Sequence, residues 1–580
     1  MISFEKKKRR SLTHEIAPDE IFLDSSNLPG RNEGQFEARV VQPVAPKAII
    51  SLGIAFIVVI ILFAGRAFDL EVLSGEVYAE ISRNNRLDRS VVFATRGLIF
   101  DRTGRELAWN ETALNHLIAS SSSASSSPEE ANSTYALRRY VDMSGLSHVL
   151  GFVRYPKADT HGVWWREEYS GASGAELAFD DVLGGANGSR MVETDAYGVI
   201  RQENIVIPPQ NGTDLTLSID ADVQNKLYTL LSQHASLQGF LGGAAVIMDV
   251  KSGEILAMTS FPEYDNAAFT AGESGAIGEA SASSRAPLLN RAIAGLYAPG
   301  SIVKPIFAAA ALAERIITPE KEVISTGAIT IPNPYDPSQP TIFRDWTVHG
   351  AVDMRTALAV SSDEYFYTIG GGYESQKGLG IEKLDLYARL FGLGAPTGIA
   401  LLGEAEGVIP TPEWKAAVFG PDDPWRIGNT YHTAIGQYGF QITPLQAAAF
   451  TAAIASGKLF VPNLIANAIP EYRTIRISDA NLQVVRDGMR LAVTSTRQDA
   501  TVKALNIPGI EIAAKTGTAE IGSRNQWMNS WSVGYWPANN PRFAYATVLE
   551  HAPAGTLSGA APGLRPFFEW LISEKPEYVD

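Results

Sequence analysis

From Ala48 to Gly65 the chain reads AIISLGIAFIVVIILFAG, with no charged residue, between Lys47 and Arg66. At about 1.5 Å rise per residue, such a run is just long enough to cross a hydrocarbon core of about 30 Å. A helix buried in a globular core keeps a polar stripe, and this run has almost none. The pattern therefore predicts a membrane-spanning helix over residues 48–66. The run is too long, and begins too far from the N-terminus, for a cleaved signal peptide. Residues 1–47 show no hydrophobic periodicity and read as a disordered tail. Its KKKRR run, Lys6 to Arg10, favours a cytoplasmic N-terminus, which puts everything after Arg66 outside.

After the span the periodicity shortens. Between Phe68 and Asn110 a helical stretch gives way to short strands, and DRTGREL predicts a turn between two of them with Thr103-Gly104 at the tip. A serine tract, Ser120 to Ser127, buries no apolar area and reads as a loop or linker. A second region begins near Gln238. There GGAAVIMDVKSGEILAMTSF predicts a strand, a turn at Lys251-Ser252-Gly253, and a strand, while residues 272–284 (GESGAIGEASASS) predict a flexible loop. YAPGSIVKPIFAAAALAER predicts a helix starting at about Ser301, because Pro305 is tolerated only in a first turn. It is apolar on all sides and so should be buried. Near the end GIEIAAKTGTAEI, SWSVGYWPA and FAYATVLEH predict neighbouring antiparallel strands, with LRPFFEWLISE a helix packed back on them. The fold class is multidomain α+β, with a sheet at the heart of the second region.

Composition excludes several functions. The length of 580 residues suggests two to four folding units, and 45% hydrophobic with 19% charged residues is a globular balance. A net charge of −15 argues against a nucleic-acid partner. The lack of cysteine removes disulfides, thiol nucleophiles and Cys-ligated zinc, and the eight histidines show no HExxH-like spacing. Neither a metal nor another cofactor is expected.

Three short elements carry candidate chemistry. Ser301 and Lys304, three apart on one helix face, place an amine within reach of a hydroxyl. A serine hydroxyl needs a base to take its proton, and a lysine does so only if its pKa falls from ~10.4. Alone the pair means little, since about one Ser-x-x-Lys is expected by chance in a chain this long. The second element, VSSDEYFY, puts Ser361 and Asp363 in a break between helix-like stretches. Ser361 could relay a proton and Asp363 could hold a lysine, although an ordinary helix cap uses the same residues. The third, KTGTAE, runs from Lys515 to Glu520 on a strand. Lys515 would bind a carboxylate and depress the pKa of Lys304, and Gly517 would let a ligand approach the backbone. Thr516 and Thr518 offer hydroxyls, and the Thr518 N–H could join that of Ser301 as an oxyanion hole. An ordinary strand with a Gly turn is the bland alternative for this element.

Together, and in this order, the three elements resemble the Ser-x-x-Lys, Ser-x-Asn and Lys-Thr-Gly set of penicillin-binding proteins and serine β-lactamases. The wider text narrows the likeness to class B penicillin-binding proteins. RGLIFDRTGRELAWN, GASGAELAFDDVLGGANGSRMVETDAYG and GTDLTLSIDADVQ resemble their pedestal, and LLNRAIAGLYAPGSIVKP, IGQYGFQITPLQ and AAKTGTAEIG their transpeptidase domain. Asp363 stands where many relatives have Asn. That variant, with IFRDWTVHGAVDMRTALAVSSDEYFY, resembles the elongation-type group, penicillin-binding protein two. Some of that group carry a zinc site that includes Cys, which this chain lacks.

The resemblance implies D,D-transpeptidation of peptidoglycan stem peptides. Ser301 would form the acyl-enzyme, with Lys304 as base, Ser361 as relay, Asp363 as organiser and Lys515 as carboxylate anchor, and β-lactams would acylate Ser301. It also implies an elongated mixed α/β pedestal over residues 67–235 and a transpeptidase domain, an antiparallel sheet flanked by helices, over residues 236–580. The implied partner is a SEDS-type glycosyltransferase (shape, elongation, division and sporulation family), met through the span and pedestal along with other cell-wall synthesis proteins. A division-type transpeptidase is the nearest alternative. A β-lactamase would need no anchor or pedestal, and a scaffold or β-lactam sensor would keep the cleft without turnover.

Overall fold

A computed structural model of the chain describes residues 46–76, 87–111, 135–160, 164–194, 200–333, 336 and 338–579. The serine tract and all but the last two residues of the expected tail lie outside the described residues; Pro46 and Lys47 open the first helix. The chain divides into two units, residues 1–88 with 193–199, and residues 89–192 with 200–580.

In the first unit, helix α1 (Pro46–Phe68) runs on through a wider turn to Leu73. Its mean hydropathy reaches 2.9, and none of its side chains is buried. It is long and apolar enough to cross a membrane.

In the second unit, strands β1 (Ile99–Phe100) and β2 (Glu106–Glu111) form the expected antiparallel pair, with Ile99 opposite Ala108. The turn between them works because Gly104 takes φ +86° and Asp101 Oδ1 accepts the N–H groups of Thr103 and Arg105 at 2.8 and 2.9 Å. Strand β3 (Leu137–Tyr140) pairs with β2, and β4 (Leu215–Thr216) lies parallel to β1. Helix α2 (Ala221–Gln238) follows, capped by Asp220, whose side chain accepts from the N–H groups of Asp222 and Val223.

A five-stranded sheet organises the rest. Strands β5 (Gly242–Asp249) and β6 (Ile255–Phe261) form the first predicted hairpin, and β7 (Ala513–Ile521), β8 (Trp527–Trp536) and β9 (Phe543–Pro553) the predicted C-terminal meander. The order is β6-β5-β9-β8-β7, antiparallel throughout, so distant parts of the chain meet in mid-sheet, with Val246 opposite Ala546. Both faces are covered, which is why β5 and β6 are buried almost end to end rather than on alternate residues. Ala245, Ile247 and Leu549 pack with α2 and the C-terminal helix, Ala560–Glu574; Ala244, Val246 and Val548 face the other way, into the larger core.

Two local expectations need correction. Residues 272–284 are not a loop: Ser274–Ala282 is helical, with Ile277 N–H bonded to the Glu273 carbonyl at 3.0 Å. Ala and Glu favour a helix here. The helix buries no residue, so it has no apolar stripe to betray it. Ser301 also lies ahead of the α-helix proper. It sits in a 3₁₀ turn, Gly300–Val303, and helix α3 (Lys304–Ala313) begins at Lys304, with Pro305 in its first turn. From Lys304 to Leu312 every residue of α3 is buried, as the all-round apolar pattern predicts.

Candidate active site

The turn that carries Ser301 is pressed against strand β7. Gly300 adopts φ +55° and donates its N–H to the Gly436 carbonyl at 2.9 Å. A Cβ on Gly300 would come within 2.7 Å of the Thr518 carbonyl oxygen, and one on Gly517 within 2.7 Å of the Pro299 carbonyl oxygen. Glycine at both positions lets the two backbones touch. The close approach expected of a ligand at Gly517 is therefore made by the protein's own turn. Beside it Thr518 is exposed and Thr516 half-buried.

The second element is a hinge between two helices. Helix α4 (Met354–Val360) starts on the Asp353 cap and ends at Ser361, which takes the left-handed conformation at φ +58°. Helix α5 (Asp363–Gly371) then starts with Ser362 as its cap, the side chain accepting from the Tyr365 N–H. The two caps turn the chain within three residues and bring both Ser361 and Asp363 to Lys304.

Lys304 is fully buried, and its Nζ donates to the Ser361 carbonyl at 2.8 Å, to Ser361 Oγ at 3.3 Å and to Asp363 Oδ1 at 2.6 Å. Lys515, also fully buried, donates to the same Ser361 Oγ at 2.8 Å and to the Thr516 carbonyl at 2.8 Å. The Ser361 hydroxyl thus stands between two amines, accepts from both, and keeps its own proton to give elsewhere. The structure brings Ser361, Asp363, Lys304 and Lys515 together. Ser301 and Thr518 lie alongside, on the turn and strand that touch. The Ser301 hydroxyl makes no hydrogen bond among the described residues, and the three donors of Lys304 point to Ser361 and Asp363.

Charge in the cleft is uneven, because Lys304 bonds a carboxylate directly and Lys515 does not. Burial, and then the neighbouring Lys304 charge, push the Lys515 amine well below its ordinary value, with Asp363 offsetting part of this. Burial raises the Asp363 carboxyl, against the pull of Lys304.

One participant escaped the sequence reading. Asp345 Oδ2 accepts the Ser362 hydroxyl at 2.7 Å and the Glu364 N–H at 2.9 Å, so it braces the hinge from outside. It lies within a stretch that resembles the elongation-type group, but only the fold shows what it touches.

Residues 243–569 match the penicillin binding protein transpeptidase domain, and residues 126–217 the penicillin-binding protein dimerisation domain. The chain belongs to the penicillin-binding protein transpeptidase family. Among penicillin-binding proteins it is 28% identical to the peptidoglycan D,D-transpeptidase MrdA of Haemophilus influenzae, over 88% of this chain and 89% of that one. It is similar to the penicillin-binding protein PBP2 of Helicobacter pylori, solved in complex with MreC: 26% identity and a TM-score of 0.68, over 84% of this chain and 99% of that one. A third similar protein was solved in a study of how a peptidoglycan synthase complex coordinates polymerization and crosslinking: 26% identity and a TM-score of 0.67, over 92% of this chain and 98% of that one.

Proposed function

We propose that this penicillin-binding protein is a peptidoglycan D,D-transpeptidase of the elongation type, with Ser301 as its nucleophile. The observation that carries the reading is the Ser361 hydroxyl held between the buried amines of Lys304 and Lys515, next to the turn that presents Ser301. Ser301 Oγ attacks the carbonyl carbon between two terminal D-alanines, and Lys304 takes its proton. To do so Lys304 acts as the neutral amine, keeping two of its three donor contacts to Ser361 and Asp363 and turning its lone pair to Ser301. The N–H groups of Ser301 and Thr518 stabilise the oxyanion. Ser361 passes a proton to the departing amine, D-alanine leaves, and an ester on Ser301 remains. An amine from a neighbouring stem then displaces Ser301, forming the cross-link amide and returning the proton. Asp363 orients Lys304. Lys515, with Thr516 and Thr518, holds the terminal carboxylate, and Gly517 keeps the strand against the nucleophile turn. β-Lactams enter the same path as analogues of the D-alanyl dipeptide.

The span 48–66 holds the enzyme in the cytoplasmic membrane with its N-terminus inside. Residues 67–235 serve as a pedestal for a transpeptidase domain of residues 236–580. The partner that supplies glycan is a SEDS-type glycosyltransferase. The similar proteins solved with MreC and in work on a synthase complex support an assembly of this kind.

The test is intact-protein mass spectrometry of the detergent-solubilised chain with benzylpenicillin, beside Ser301→Ala. The expected result is one adduct on the wild type and none on the variant. A folded wild type that takes up no penicillin would sink the acyl-serine reading in favour of a scaffold role.

A further inference from the structure

One fully buried titratable side chain has no task in this chemistry. His349 Nδ1 lies 2.8 Å from Asp499 Oδ2, and Nε2 lies 3.5 Å from Asp345 Oδ1, an ion-pair distance without a hydrogen bond. Both ring nitrogens face carboxylates, an arrangement that suits the imidazolium, in which both are donors. Arg497 fixes Asp499 from Nε at 2.9 Å and Nη2 at 2.8 Å, and Nη2 also reaches the His349 carbonyl at 2.9 Å. On the other side Asp345 holds Ser362 and the Glu364 N–H. The indole of Trp346, 5.1 Å from the His349 ring, donates to the Val360 carbonyl at 3.1 Å. Bonds from one loop thus grip the chain at Val360 and at Ser362. Between them Ser361 sits in a left-handed conformation that a non-glycine residue keeps only when its surroundings impose it.

We propose that His349 is a positioning residue of the transpeptidase: bridged between Asp499 and Asp345, it holds the Ser361 turn so that the Ser361 hydroxyl stands between Lys304 and Lys515. The inference rests on the roles given to Ser301 and the lysines above. The charged groups that face the bridge are Asp345, Asp499 and Arg497, with Lys304 and Asp363 acting on Asp345 through space; Ser325 adds only a neutral hydroxyl, which accepts the His349 backbone N–H. Burial alone would lower the histidine, but the two carboxylates outweigh it and raise it. Burial alone would raise Asp345, but His349, the Glu364 N–H and Lys304 hold it at about 2. The bridge therefore favours the imidazolium, and it loses its cation as pH rises through the raised value.

The experiment measures the rate of benzylpenicillin acylation of the detergent-solubilised chain across pH 6 to 9. It compares wild type, His349→Gln, Ser362→Ala and the double variant, with a melting curve for each. Each single variant should fold and acylate roughly 10–100-fold more slowly near neutral pH. The double should be no slower than the slower single, and the ratio of wild type to His349→Gln should shrink as pH rises. Wild-type rates in folded variants, effects that multiply in the double, or a ratio flat with pH would each overturn the proposal. If His349→Gln does not fold, Asp499→Asn, at the half-buried end of the bridge, serves the same comparison. A wild type that is not acylated overturns the Ser301 reading and this inference together, whereas an acylated wild type with unaffected variants overturns this one alone.

Discussion

Two of the places where the molecule buries charge behave differently. In the N-terminal part of the second unit, Arg96 and Arg138 converge on Glu176, Nε to carboxylate oxygen, at 2.5 and 2.7 Å, and Arg96 reaches Asp180 at 2.7 Å. Arg96, Arg138 and Glu176 have no exposed side-chain surface. Two cations meet two anions through planar forks whose geometry matches a carboxylate, and backbone carbonyls of Tyr169, Glu176 and Gly97 take further donors. Burial works against the Arg96 cation, but Glu176 and Asp180 outweigh it, and the guanidinium is raised above its ordinary value. In the cleft two lysines share Asp363, and the amine left without a directly bonded carboxylate, Lys515, is driven well below its ordinary value. Burial is common to both. Balanced charge makes a brace, and unbalanced charge makes a reactive site.

Breaking each cluster in turn should separate the two roles. The largest effect belongs to Lys304→Met, which should slow penicillin acylation by roughly 10²–10⁴-fold while the protein still melts as a folded species. Loss of folding instead would mean that Lys304 is a structural cation like Arg96. Next, Glu176→Gln leaves two buried guanidiniums short of charge and should cost about 3–5 kcal/mol in chemical denaturation. Acylation per folded molecule should stay unchanged, and a cost below about 1 kcal/mol would mean the brace does not depend on balance.

Lys515→Met should have the opposite sign. It should slow acylation, yet raise stability by on the order of 1 kcal/mol, because it removes a cation that the fold holds at a loss. The folded pKa of Lys515 lies below its unfolded value, so the unfolded state binds the extra proton between the two. Wild-type stability therefore rises with pH in that window. The variant's advantage should be full below the folded pKa and fade as pH climbs toward ~10.4. The smallest effect concerns His349, whose folded pKa is raised. Its stabilising share should be fully present below pH ~6.5 and disappear as pH rises through the folded value. Denaturation of wild type against His349→Gln at pH 6 and 9 checks this, with an expected gap of about 1 kcal/mol or less that narrows at the higher pH.

Much of this was legible in the residues because it is local. The DRTGREL turn needs only a positive-φ glycine and an Asx contact, and both are there. The strand runs around Lys251-Ser252-Gly253 and Asn539-Asn540 pair with their sequence neighbours, as short connections require. The helix Ser274–Ala282 reads as a loop because a helix that buries no residue has no periodic apolar stripe. The pairing of β5 with β9 was also hidden, since nothing near Val246 names Ala546 as its partner. In the site, the residue types and their spacing were readable, whereas the electrostatics were not. Spacing alone does not say that Asp363 bonds Lys304 directly, or that burial and the Lys304 charge push Lys515 down.

By itself the sequence determined whatever depends on contiguous residues. An uncharged run from Ala48 to Gly65 suits a membrane without help from any other segment, and a Ser-x-x-Lys beginning at Ser301 sets its amine one turn of chain from its hydroxyl wherever that turn lies. The tertiary structure decided which groups are near one another and which are dry. Lys304, Ser361 and Lys515 come from three distant stretches, and Asp345 and Asp499 from two, and the energy of a charge depends on its distance to other charges and on the water around it. Those quantities exist only once the sheet has closed, so the chemistry of the cleft belongs to the fold rather than to any motif within it.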